Sequence, residues 1–238
     1  MLKYFFLFAQ FTAVILQVIL LIYSIRFGFN RNNPIYVRLF SLYAIYGSIS
    51  CALHFAGPII HRQIEKSIFF DIIIVLETIF FSYLICWLIK SVIIKRIVWS
   101  LNAVCFAEFL FIKFKNISLF NSSLLLFASE CIILLILCLS YFRELFLYNN
   151  NKKSIIQSPA FWIVSGVLFY STIQLPIILI AQLFALKDMK NISRDLGIIY
   201  YIFGCLELLI WIKAMLCTKN LSSPVKQDFS ILIHNEKL

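Results

Sequence analysis

Long apolar stretches alternate with short polar gaps along the whole chain. Seven runs reach the length of a spanning helix, about 20 mostly apolar residues. They cover residues 4–25, 39–60, 67–89, 94–114, 122–142, 159–184 and 196–217. Lipid offers no hydrogen bonds to a peptide backbone, so each run is expected to be helical. The narrowest boundary separates the third and fourth runs, where Lys90, Lys95 and Arg96 supply the only break. The first run is longer than the apolar core of a signal peptide, no small-residue cleavage site follows it, and it carries Gln10 and Gln17. It is read as a retained first helix. The pattern predicts an all-α, polytopic transmembrane bundle of seven helices over residues 1–217, followed by a short polar cytoplasmic tail over 218–238.

Composition strengthens the membrane reading. Hydrophobic residues make up 62% of the chain, charged residues 13%, and the mean hydropathy is +0.95. A soluble domain of this size must cover its surface with polar groups, and this chain has too few. The lipid bilayer is therefore its first partner. The formal net charge of +10 does not point to nucleic acid, because the basic residues fall in the gaps between apolar runs instead of forming a patch. Arg26, Arg31, Arg38, Lys90, Lys95, Arg96, Arg143, Lys152, Lys153, Lys213, Lys219, Lys226 and Lys237 share one side, which makes 13 of the 21 basic residues. The richer side is expected to be cytoplasmic, which puts the N-terminus outside and the C-terminus inside. The seven cysteines lie within or at the ends of apolar runs, without CxxC or Cys/His ligand spacing. No metal and no cofactor is expected.

Ionisable side chains within spans are costly, and each is a candidate for function. They are His54 in the second run, Asp71 and Glu77 in the third, Glu108 in the fourth, Glu130 in the fifth and Glu207 in the seventh. At 1.5 Å per residue, Glu77 and Glu207 lie roughly 15 Å from the outer ends of their helices, and the others lie nearer that surface. No lysine or arginine accompanies them at depth. Singly, each carboxyl suits a neutral hydrogen-bond donor between helices. As a set at similar depth, they suit an outward-facing polar pocket that admits a small molecule or a cation. Two stripes could line it. Gly166, Tyr170 and Gln174 recur every four residues in the sixth run, where Pro176 is expected to kink the helix. Tyr200, Gly204, Glu207 and Trp211 share one face of the seventh. Close helix packing accounts for glycines in such stripes equally well.

Known seven-helix chemistries lack their residues here. Glu207 stands where a retinal Schiff-base lysine would, and Lys213 lies near the helix end. The histidines of a ceramidase-like zinc site are missing, as are Gly-x-Ser-Gly and Gly-x-Gly-Asp protease motifs, so an enzyme is not expected. The receptor signatures Asp/Glu-Arg-Tyr and Asn-Pro-x-x-Tyr are also absent at the ends of the third and seventh helices. The segment Ser158-Pro159-Ala160-Phe161-Trp162-Ile163, continuing through Gly166 to Leu168 and Tyr170, resembles a pattern in uncharacterised bacterial seven-helix membrane proteins, where Asn/Ser-Pro-x-Phe-Trp opens the sixth helix. The resemblance implies that fold and a bacterial inner membrane, and it brings no agreed activity. Physically, Ser158 and Pro159 suit an N-cap and a first helical position, and Trp162 an interfacial anchor. The leading expectation is a sensor or receptor-like module that acts through a separate cytoplasmic signalling partner at the basic loops. A proton- or cation-coupled carrier using Glu77, Glu130 and Glu207 comes second, and a structural subunit of a membrane complex third.

Overall fold

A computed structural model describes residues 2–60, 66–114, 119–148, 155–185 and 190–221. Among them all regular structure is helical, in seven α-helices. They are α1 (Leu2–Tyr23), α2 (Ile35–Ile60), α3 (Lys66–Leu88), α4 (Val92–Phe114), α5 (Leu119–Tyr148), α6 (Pro159–Ala185) and α7 (Lys190–Leu221). Several helices run a turn or more beyond the apolar stretches, because their ends lie where polar residues can be solvated. α7 takes in Thr218–Leu221, so the helix extends into what the sequence suggests is tail, and residues 222–238 lie outside the described residues. α6 continues helical through Pro176.

Local chemistry explains the helix ends. α1 closes in a π-helical turn, Ser24–Gly28. The Asn33 amide donates to the freed carbonyls of Phe27 and Gly28, as helix ends require. Gly28 is needed there, since a Cβ would overlap the Ser41 side chain of α2. Ser91 caps α4, its hydroxyl accepting the Ile94 N–H at 3.4 Å. Pro159 takes the first position of α6, where its missing N–H costs nothing. Trp162 does more than anchor: its indole N–H donates to the Ile156 carbonyl at 2.7 Å and ties down the segment before the helix.

Consecutive helices run antiparallel, and side-chain contacts join the ends that carry the basic residues. Ser41 near the start of α2 reaches Met215 near the end of α7, and Glu144 near the end of α5 reaches the α3–α4 turn. α7 packs most closely against α6 and then α1, α5 packs against α3 and α6, and α1 against α2. α4 leans on α3 and α5. Gly166 helps to make the α6–α7 contact tight, because it leaves room for the indole of Trp211 and any Cβ would collide with it.

The outer surface of the bundle is apolar, and a minority of polar side chains lies buried within its hydrophobic core. Phe8, Phe11, Ile93 and Leu139 are each at least 60% exposed, while Ser41, Thr78, Ser82, Asn102, Glu130, Ser171 and Gln174 are buried. An outer surface of that kind needs lipid for a solvent. Five helices contain windows long and apolar enough to cross a membrane: Phe6–Gly28, Asp71–Leu88, Leu125–Leu147, Pro159–Ile177 and Ile198–Lys219. α2 and α4 are not among them. α4 carries Lys95, Arg96 and Glu108 within its length, and the side chains of α2 from Cys51 onward lie outside the described residues. Asn102 on α4 is buried and donates to the Ser82 hydroxyl of α3 and to its own helix at Val98, both at 2.9 Å, a polar tie between neighbouring helices.

Candidate functional site

A cavity of about 500 Å³ lies in the middle of the bundle, walled by side chains from six of the seven helices. Helical spacing puts its walls together. Ala13 and Gln17 come one turn apart on α1, Ile73, Ile74 and Glu77 share a face of α3, and Tyr200, Gly204, Glu207 and Trp211 form a stripe down α7. Tyr43 of α2, Phe127 of α5 and Tyr170 of α6 complete it. Between the cavity and the basic end of the bundle lies an aromatic floor. Trp211 meets Phe40 at 5.4 Å and Tyr43 at 5.7 Å between centroids, both edge-on, and Tyr43 meets Phe81 at 4.6 Å. These are favourable aromatic geometries, and they fix the ring positions.

The two carboxyls on the cavity are held differently. Glu77 accepts the Tyr43 hydroxyl at 2.8 Å across the α2–α3 boundary. Glu207 is 8% exposed, faces the cavity, and has no hydrogen-bond partner among the described residues. It lies within electrostatic reach of Glu77. Polar side chains tie the walls to one another. Gln17 donates to Ser48 Oγ at 3.1 Å, and Gln10 donates to the Tyr201 hydroxyl at 3.1 Å. No lysine, arginine or histidine is among the lining residues. Among the described residues, no three His, Cys, Asp or Glu side chains are grouped as metal ligands.

The sequence candidates divide on this geometry. Glu77, Tyr170 and Glu207 line the cavity. Gln174, one turn beyond Tyr170, is within hydrogen-bonding reach of the Tyr200 hydroxyl, while its own carbonyl oxygen is buried with no partner among the described residues. Glu130 is fully buried one turn from Phe127, within electrostatic reach of Glu77, and neither oxygen has a hydrogen-bond partner among the described residues. It stands behind the wall, outside the lining set. Glu108 is elsewhere, accepting the Ser129 hydroxyl at 2.9 Å between α4 and α5. Asp71 is buried and is not one of the lining residues. The His54 side chain lies outside the described residues. The two stripes meet, but not as equals: Gly166 serves packing against Trp211, whereas Gly204 has open space beside it.

Sequence reasoning found Trp211 but missed Tyr43, Tyr201 and the Phe40 and Phe81 rings that pack with Trp211 in the floor. An aromatic residue within an apolar run carries no mark of its role, and only the tertiary contact to Glu77 reveals Tyr43. Gln17 is visible as a polar residue in the first run but cannot be placed without its neighbours. A second recess, about 360 Å³ and open at the surface, is lined by Tyr83, Cys86, Trp87, Lys95 and Trp99 on α3 and α4. It contains none of the candidate carboxyls.

Comparison with protein families, curated proteins and solved structures finds no match to this chain. The site is accordingly read from its own chemistry. A set of aromatic rings with two carboxyls can solvate positive charge or accept N–H and O–H donors.

Proposed function

We propose that the chain is a receptor-like membrane module that binds a small ligand in the central cavity and passes helix movement to a cytoplasmic partner. The observation that carries this reading is Glu207, a carboxyl nine-tenths buried, facing open volume and lacking a partner among the described residues. A group of that kind costs stability unless something arrives to satisfy it. The volume falls in the range of small-molecule sites. The reading takes the chain to span the bilayer seven times with its N-terminus outside, on the charge asymmetry of its loops. The Ser158–Trp162 resemblance favours a bacterial inner membrane.

A transmission route is supported by contacts already described. Trp211 forms the cavity floor, wedges against Gly166 and touches Phe40. Phe40 lies within two turns of the α1–α2 connection, which carries Arg31, and shares the start of α2 with Arg38. A ligand that shifts Trp211 would move the start of α2 and the α6–α7 contact together. The carrier reading draws on Glu130, since it and Glu207 both lie within electrostatic reach of Glu77, and the three carboxyls could relay a proton.

Thiol labelling tests the access that both readings need. Gly204→Cys adds a side chain where nothing lies within 4 Å. A membrane-impermeant thiol reagent applied to intact cells is expected to modify residue 204, as read by peptide mass. If the residue reacts only in inverted vesicles, or only after denaturation, the outward-open cavity is wrong.

A further inference from the structure

We propose that the cavity takes an organic ammonium ion, with Glu207 and Glu77 balancing its charge and the rings of Tyr43, Tyr170, Tyr200 and Trp211 packing around its alkyl groups. This rests on the receptor-like reading and adds the class of ligand. Four properties of the site lead to it. The lining carries two carboxyls and no cationic side chain, so an anionic ligand would find nothing there to balance its charge. Aromatic faces attract ammonium ions within about 6 Å, most strongly when water is excluded. A volume of about 500 Å³ is too large for a bare metal cation, which needs about six or more oxygens at 2.0–2.6 Å. A neutral, purely apolar ligand would leave the buried Glu207 without a partner.

The two glutamates have distinct parts in this arrangement. Glu77 is positioned by the Tyr43 hydroxyl at 2.8 Å, so its carboxyl is fixed before any ligand arrives. Glu207 has no such tether among the described residues and stands one turn from Trp211, the ring that gives the strongest cation–π contact. The ammonium therefore sits between Glu207 and the floor, with Tyr170 and Tyr200 on its other side.

The test uses the full chain in lipid nanodiscs, with choline and its neutral isostere 3,3-dimethylbutanol as paired probes in calorimetry. Choline is expected to bind at least about tenfold more tightly than the alcohol, since a charge and cation–π contacts distinguish them. Glu207→Gln is expected to remove that difference. Choline, but not the alcohol, should also protect Gly204→Cys from the thiol reagent. The choline–alcohol contrast is measured on the unmodified chain, so it does not depend on any variant folding. Equal binding of the two probes overturns the ammonium class. So does failure of every ion from methylammonium to benzyltrimethylammonium to bind while residue 204 still labels, and that outcome leaves the accessible cavity standing. Charge-selective binding without labelling does the reverse, sparing the ammonium site and removing outward access.

Discussion

Glu207 and Glu144 are both glutamates in long apolar helices, and the structure treats them in opposite ways. Glu144, near the basic end of α5, accepts the backbone N–H groups of Lys90 at 2.6 Å and Ser91 at 3.0 Å. It thus lies at the N-terminus of α4, where orphan donors and the helix dipole favour an anion. Glu108 is a milder case of the same kind, satisfied by Ser129. Glu207 faces a cavity with no such partner, and Glu130 behind it has none among the described residues. A carboxyl with internal partners can be understood as part of the scaffold. One without them departs from the rule that buried polar groups are satisfied, and such departures are expected at functional sites. What separates the two kinds is whether the carboxyl has partners.

The comparison is sharpest at the wall between the cavity and the basic end, and the largest expected effect lies there. Trp211→Ala removes a buried ring packed on Phe40, Tyr43, Phe81 and Gly166. Truncations of that size cost about 3–5 kcal/mol. Thermal unfolding of the purified protein should fall accordingly, and choline binding should be lost with it. A loss below about 1 kcal/mol would mean that the floor is not a packed element and that the cavity continues toward the basic loops.

Glu144→Ala comes next. Losing a charged acceptor at a helix N-terminus costs about 1–2 kcal/mol. The unfolding temperature should drop while the affinity for choline stays unchanged, because Glu144 lies at the far side of the aromatic floor. A change in affinity without loss of stability would break the division between scaffold and site.

What the sequence made legible follows the same division. Run length and the scarcity of polar surface disclose the helices, because both are properties of a segment on its own. The Glu207 stripe is visible for a similar reason, since its four residues share one face of a single helix. The role of Glu144 is not. It lies in the last two turns of its helix, where a charged residue reads as solvated, and its partners are backbone groups about fifty positions away. Glu108 illustrates the converse error: its depth resembles that of the cavity residues, yet its partner is on the neighbouring helix α5. Gly166 and Gly204 look alike in sequence and differ only in what stands opposite, an indole in one case and open space in the other.

The smallest effect is the most discriminating, because it turns on a sign. Glu108→Leu removes one side-chain hydrogen bond, and its net worth is about 0.5–1.5 kcal/mol, so this variant should be slightly less stable. Glu207→Leu removes a carboxyl that has no partner to lose among the described residues. Replacing a buried polar group by an apolar one of similar volume is commonly neutral or stabilising, so the unfolding temperature should hold or rise. Choline binding should disappear in Glu207→Leu and persist in Glu108→Leu. Opposite signs at these two glutamates would separate the structural carboxyl from the ligand-seeking one by measurement. A shared loss would give Glu207 a structural partner and place it beside Glu108, and the cavity would then have no group that needs a ligand.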